Sequence, residues 1–180
     1  ISSEKAKVVA SLSKMPAKIN PICIHPMFGP GIKTLKGQNI ISIPIKDAKS
    51  ELTMAKSLFE GANFVTIDAI EHDKKIAVIL GLTHMMNLVF ANIISKDEKS
   101  ILTEKMSGST FRVQKTLAES IMTESPELIE TIISNPEIRR VAEELWKDVG
   151  RLLTAVQESK TEEVVNYIKE CQERLAKHSD

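Results

Sequence analysis

Six consecutive residues, His25-Pro26-Met27-Phe28-Gly29-Pro30, carry the strongest chemical signal in the sequence. An imidazole titrates near neutral pH, so it can take up or release a proton under working conditions. This one ends an apolar run, Ile22-Cys23-Ile24, and two prolines and a glycine follow it. Pro26 and Pro30 fix their own φ, and Pro26 pushes His25 towards extended geometry. The pattern predicts a histidine on a stiff turn at the edge of a sheet. Rigid loops at the carboxyl ends of strands are where open α/β sheets hold ligands.

Arg112 is the second candidate. Of 24 basic residues only five are arginine, and none of the others precedes Arg139. With Ser109 as the helix cap, Arg112 falls in a first turn, where the backbone already presents positive partial charge. A guanidinium fork beside free N–H groups suits a bound carboxylate; a salt bridge to a nearby glutamate explains the residue equally well. His84 belongs to a stripe of small or polar positions, Ala77, Gly81, His84, Asn87 and Ala91, on one face of an otherwise apolar helix. That stripe predicts a close approach by another helix, a ligand or both, and His84 can be read as a satisfied core histidine. His72 lies roughly 18 Å along the same helix at ~1.5 Å per residue, too far to share a metal ion with His84. It is assigned to the helix start. No zinc spacing is present. Ser3, in Ser2-Ser3-Glu4-Lys5, reads as a helix cap.

The elements that must position these groups change character near Asp68. Before it, helix and strand alternate: a short amphipathic helix over 3–14 with Val8, Val9 and Leu12 inside, strands at 22–25, 39–43 and 63–67, and a helix over 47–60 stopped by Gly61. The runs Ile40-Ile41-Ser42-Ile43 and Phe64-Val65-Thr66-Ile67 suit strands covered on both faces. After it all signals are helical. Asp68 and Glu71 have the spacing of a capping box, and a long helix is predicted over 69–95. Further starts fall at Ser109, Ser125-Pro126 and Asn135-Pro136. Ile138, Val141, Leu145, Val149, Leu152 and Val156 keep helical spacing, and Thr161 opens a last helix. The expected organisation is the tail of an α/β sheet over 1–68 and an all-helical part over 69–180.

Lys+Arg and Asp+Glu are both 24, so net charge recruits neither nucleic acid nor an anionic membrane. Cys23 and Cys171 form no disulfide framework and point to a reducing, cytoplasmic setting. The apolar stretch Ile76–Ile94 is long enough to suggest a membrane span. Gly81, Thr83, His84, Asn87 and Asn92 interrupt it, which favours a buried central helix. The chain opens at Ile1 already inside a helical pattern, and a preceding segment is expected.

Together these positions resemble the prephenate dehydrogenase family of tyrosine biosynthesis, closely related to arogenate dehydrogenase. His25-Pro26-Met27-Phe28-Gly29-Pro30 looks like the family's His-Pro-Met-Phe-Gly-Pro turn. Glu71-His72-Asp73 with Leu82-Thr83-His84 is similar to its central helix, and Ser109-Thr110-Phe111-Arg112 to the segment bearing its substrate-binding arginine. Ser3 and Lys5 match the end of an Asp-x-x-Ser-x-Lys pattern. The resemblance implies an α/β remnant of a Rossmann nucleotide-binding domain, followed by an all-α domain that pairs two subunits as a homodimer. The implied reaction is oxidative decarboxylation of prephenate to 4-hydroxyphenylpyruvate with NAD or NADP, with arogenate as the substrate of the related enzyme. It further implies that His25 takes the proton of the ring hydroxyl and that Ser3 lies beside that hydroxyl and the nicotinamide. Arg112 would hold a substrate carboxylate in a cavity shared with His25, His84 would line the pocket, and Pro26 would touch the cofactor. No metal is implied.

One feature departs from the family pattern: no Gly-x-Gly-x-x-Gly follows a strand. The chain is therefore expected to be the C-terminal portion of such an enzyme, incomplete as a catalyst. Two other readings compete. One is a non-catalytic helical dimerisation module, the other a different hydroxyacid dehydrogenase with Rossmann and helical domains.

Overall fold

The computed structural model describes residues 4–29 and 31–178. The element order is α1 (Ala6–Leu12), β1 (Ile24–Pro26), β2 (Asn39–Ser42), α2 (Ala48–Leu58) and β3 (Asn63–Thr66), and then helices alone. These are α3 (Ala69–Ile76), a π-helical stretch (Ala77–Leu82), α4 (Thr83–Ile94), α5 (Ser100–Met106), α6 (Ser109–Met122), α7 (Pro126–Ile133), α8 (Ile138–Gln157) and α9 (Thr161–Ala176). Two compact units result, one ending at Ile138 and one running from Arg139 onward.

The sheet has the order β1-β2-β3, with β1 antiparallel and β3 parallel to β2. Because β2 is central, Ile40, Ile41, Ser42 and the following Ile43 are all buried. β3 departs from expectation, since it is an edge strand with Val65 51% exposed rather than covered on both faces. Its link to α2 turns at Gly61, which takes a φ of +85° that other residues reach only under strain. At the other end of α2, Asp47 accepts from Lys49 N and Ser50 N. Glu51 turns back from the first turn to accept from the backbone N–H groups of Ile45, Lys46 and Asp47 at 2.7–2.8 Å. One half-turn of polar chain is thereby locked between β2 and α2.

A small core joins sheet and helices: Cys23, Ile41, Ile43 and Ile76 are buried together, with Val8, Val9 and Leu12 of α1 packed on them. Asp68 caps α3 by accepting from Ile70 N and Glu71 N, both at 2.9 Å. The predicted long helix is present from Ala69 to Ile94, with an unpredicted π-helical stretch inside it. It is not, however, a buried central helix. Ile76, Ala77, Gly81, His84 and Asn87 line its covered face, while Val78, Ile79, Met86, Val89 and Ile93 are 45–63% exposed. By length and composition it could cross a membrane, with 28% of its most apolar stretch buried.

The expected close approach along the small-residue stripe comes from helices. A Cβ on Gly81 would lie 2.3 Å from Ile138 Cδ1, and Gln114 of α6 donates to Asn87 Oδ1 at 2.8 Å. Ser125 caps α7 as expected. Gly108, not Ser109, occupies the cap position of α6, and α8 begins at Ile138, two residues beyond Pro136. In the second unit α8 and α9 form a hairpin whose turn places Ser159 at φ +55°, and Arg151 lies over the Tyr167 ring at 5.3 Å.

Candidate active site

His25 sits in β1 opposite Ile41, and the residue is 3% exposed. Its Nδ1 lies 2.8 Å from Nε2 of His72, a fully buried residue of α3. His72 Nδ1 in turn lies 2.8 Å from Asp73 Oδ1. Asp73 also accepts the backbone N–H of Lys5 at 2.7 Å on Oδ1 and that of Ala6 at 3.0 Å on Oδ2. Three elements that are remote in sequence therefore meet through one hydrogen-bonded line.

Burial lowers the His25 pKa from its ordinary value to about 4, with the Lys5 ammonium and the neighbouring His72 ring adding to the shift and Asp73 opposing it. His72 is lowered as well. Burial again dominates, and the hydrogen bond and charge of Asp73 do not overcome it. Both rings are consequently neutral at neutral pH, the form a general base requires. Cys23, next to them in the core, has its thiol pushed up by burial, which makes it a packing group rather than a nucleophile.

Arg112 lies in the first turn of α6, its N–H bonded to Gly108 O at 3.2 Å and its Nε donating to Ser107 Oγ at 3.1 Å. It is exposed, and among the described residues it makes no ion pair, so the glutamate bridge considered for it is not formed there. Residues beside it line an open groove of about 740 Å³, formed by Phe90, Ser109, Thr110, Phe111, Val113 and Gln114. His25 does not line that groove. His84 is buried in the helical seam, with Nδ1 2.7 Å from Leu80 O and Nε2 3.2 Å from a Glu124 oxygen. For His84 to contact a substrate, that ligand would have to displace Glu124. Pro26 ends β1 opposite Ile40 and is half-buried. Ser3 and Pro30 lie outside the described residues.

His72 and Asp73 are the functional candidates that sequence reasoning passed over. The available signal was spacing. His72 and Ile76 stand at i and i+4, on the face that proves wholly buried, and a polar ring there needs partners. Among the described residues no group of three or more His, Cys, Asp or Glu could hold a metal ion. Nor does any strand run into a glycine-rich turn at a helix start, so the described residues form no pyrophosphate cradle.

The fold itself is that of the prephenate and arogenate dehydrogenases. Arogenate dehydrogenase from Synechocystis superposes with a TM-score of 0.73 at 16% identity, over 99% of this chain and 68% of that one. Prephenate dehydrogenase from Aquifex aeolicus, solved with hydroxyphenyl propionate and NAD+, gives 0.72 at 22% identity, over 98% and 65%. Residues 68–170, more than half of the sequence, match the family described as prephenate dehydrogenase, dimerization domain, and the chain belongs to that family. A probable arogenate/prephenate dehydrogenase of Methanocaldococcus jannaschii is 24% identical over 94% of this chain. The chain spans 41% of that relative's length.

Proposed function

We propose that this chain supplies the proton-handling and dimerising part of a dehydrogenase that decarboxylates prephenate, or arogenate, oxidatively. The observation that carries this reading is His25, buried on a proline-locked strand end and neutral at neutral pH. When bound, NAD or NADP supplies the hydride acceptor, and the described residues alone do not hold its phosphates. His25 Nε2 takes the proton from the substrate's ring hydroxyl as that carbon is oxidised. Loss of carbon dioxide then leaves an aromatic ring, so the substrate provides much of the driving force. Arg112 holds a substrate carboxylate with a two-pronged guanidinium contact. What the protein adds is orientation and a proton acceptor of suitable basicity.

In the protein that carries this chain, His25→Asn is expected to lower kcat by about 10²–10⁴ with little change in KM. Arg112→Gln is expected mainly to raise KM, because it removes binding shared by ground and transition states. Steady-state rates of nicotinamide reduction with prephenate and with arogenate measure both effects. An unchanged kcat for His25→Asn removes the assignment. The exposed apolar face on the 69–94 helix favours a second reading, a purely dimerising module. Calorimetric titration with prephenate and NAD(P) separates the two, since heat of binding excludes a structural role alone.

A further inference from the structure

We propose that Asp73 and His72 form a positioning relay that holds His25 as its Nδ1–H tautomer, leaving the lone pair on Nε2 as the proton acceptor. This inference rests on the reading of His25 as base, and its test is built to fail separately.

The relay follows from counting protons. Lys5 N and Ala6 N can only donate, so both oxygens of Asp73 stand as acceptors. His72 Nδ1, 2.8 Å from Oδ1, must then carry a hydrogen. A neutral imidazole has a single ring proton, so His72 Nε2 is left with a lone pair. Among the described residues the partner of that nitrogen is His25 Nδ1 at 2.8 Å, which must donate to it. His25 has then spent its one proton, and Nε2 is bare. Among the described residues nothing bonds to that nitrogen, and no buried side-chain nitrogen or oxygen lacks a partner.

Direction matters as much as contact. A His72 protonated on Nε2 would donate to His25 Nδ1, move the remaining proton of His25 to Nε2 and abolish the acceptor. Asp73 sets the direction because it accepts on both oxygens. The backbone of α1 holds that carboxylate in place, which couples the start of the chain to the base. During turnover the proton from the substrate hydroxyl adds to His25 Nε2, and the imidazolium so formed shares its Nδ1 proton with His72. Asp73 stays a carboxylate throughout. Neither residue touches the reacting atoms, so both are positioning groups.

The test is long-range proton–nitrogen NMR on this chain labelled with ¹⁵N-histidine, which reads the tautomer of each ring. His25 is expected as Nδ1–H in the native chain. Asp73→Ala removes the oxygen that takes the His72 Nδ1 proton, so His72 is free to carry its proton on Nε2 and His25 shifts to Nε2–H. His72→Phe removes the acceptor and should also release His25 to Nε2–H. His25 found as Nε2–H in the native chain, or held as Nδ1–H in a folded Asp73→Ala, overturns the relay. The native measurement decides even where a variant does not fold. In the active protein Asp73→Ala should lower kcat about 10²–10⁴-fold while KM holds, as expected of a base in the wrong tautomer. A reversed tautomer with unchanged turnover would leave the relay standing and remove His25 as the base.

Discussion

Two histidines that stay uncharged in the folded chain bind protons more readily once it unfolds. The unfolded rings titrate near ~6.5, whereas His25 in the fold titrates at about 4 and His72 is lowered in the same direction. Above about pH 6.5 both states are neutral, and the pair contributes no pH dependence. As pH falls through that value the unfolded state gains protons first, and stability declines until the folded rings also titrate. Burial of the two rings sets the window, with Lys5 also disfavouring charge on both and Asp73 favouring it. Urea unfolding at about pH 7 and about pH 5 should differ by of order 1–3 kcal/mol, and His25→Asn should shrink that difference. Equal loss in native and variant would mean that His25 does not feel its burial. His25 was legible in the sequence because prolines announce a rigid turn. Its partner was not, because His72 is 47 residues away and only the fold shows which buried face meets which strand.

The helices were the most readable elements, above all where a side-chain cap marks a boundary, although α8 starts two residues beyond Pro136. Asp47, Asp68 and Ser125 accept from backbone N–H groups where their types said they should. Boundaries set by less specific residues moved: Gly108 took the cap expected of Ser109, and α5, which no side chain caps, went unseen. The π-helical stretch was illegible because an inserted turn leaves no periodicity of its own. Gly81 lies within it, and its missing side chain is what lets Ile138 in. A Cβ there would stand 2.3–2.4 Å from two Ile138 carbons, in a site where Ile138 is only 2% exposed and has little room to retreat. Gly81→Ala should therefore destabilise the chain by about 1–3 kcal/mol despite alanine's better helix propensity. Ile138→Ala removes both clashing atoms, so the double variant should be more stable than the sum of the singles predicts. Denaturant titration of the four chains measures the coupling, and strict additivity would show that the glycine is there for another reason.

A helix whose uncovered face is apolar has surface left to bury. Val78, Ile79, Met86, Val89 and Ile93 expose about half of their area on one element, a pattern that marks an interaction surface rather than a solvated face. Composition alone had suggested that the chain itself would cover this helix, which holds only for the stripe through Ala77, Gly81, His84 and Asn87. Residues 68–170 match a family described as a dimerization domain, and the occupant we propose for this face is a second copy of the same helix. A twofold interface counts every contact twice. One charge placed in it appears as two charges desolvated against each other's apolar neighbours, a cost of several kcal/mol. Each fully covered aliphatic side chain contributes ~1.5–3 kcal/mol, and the two copies together offer enough of them to exceed the entropic cost of association. Ile93, 63% exposed and near the end of α4, is the residue to change. Ile93→Glu should give a folded monomer, with helical circular dichroism retained and the mass by light scattering halved relative to the native chain. A native chain that is monomeric at micromolar concentration, or a variant that keeps the dimer mass, would assign this face to some other partner.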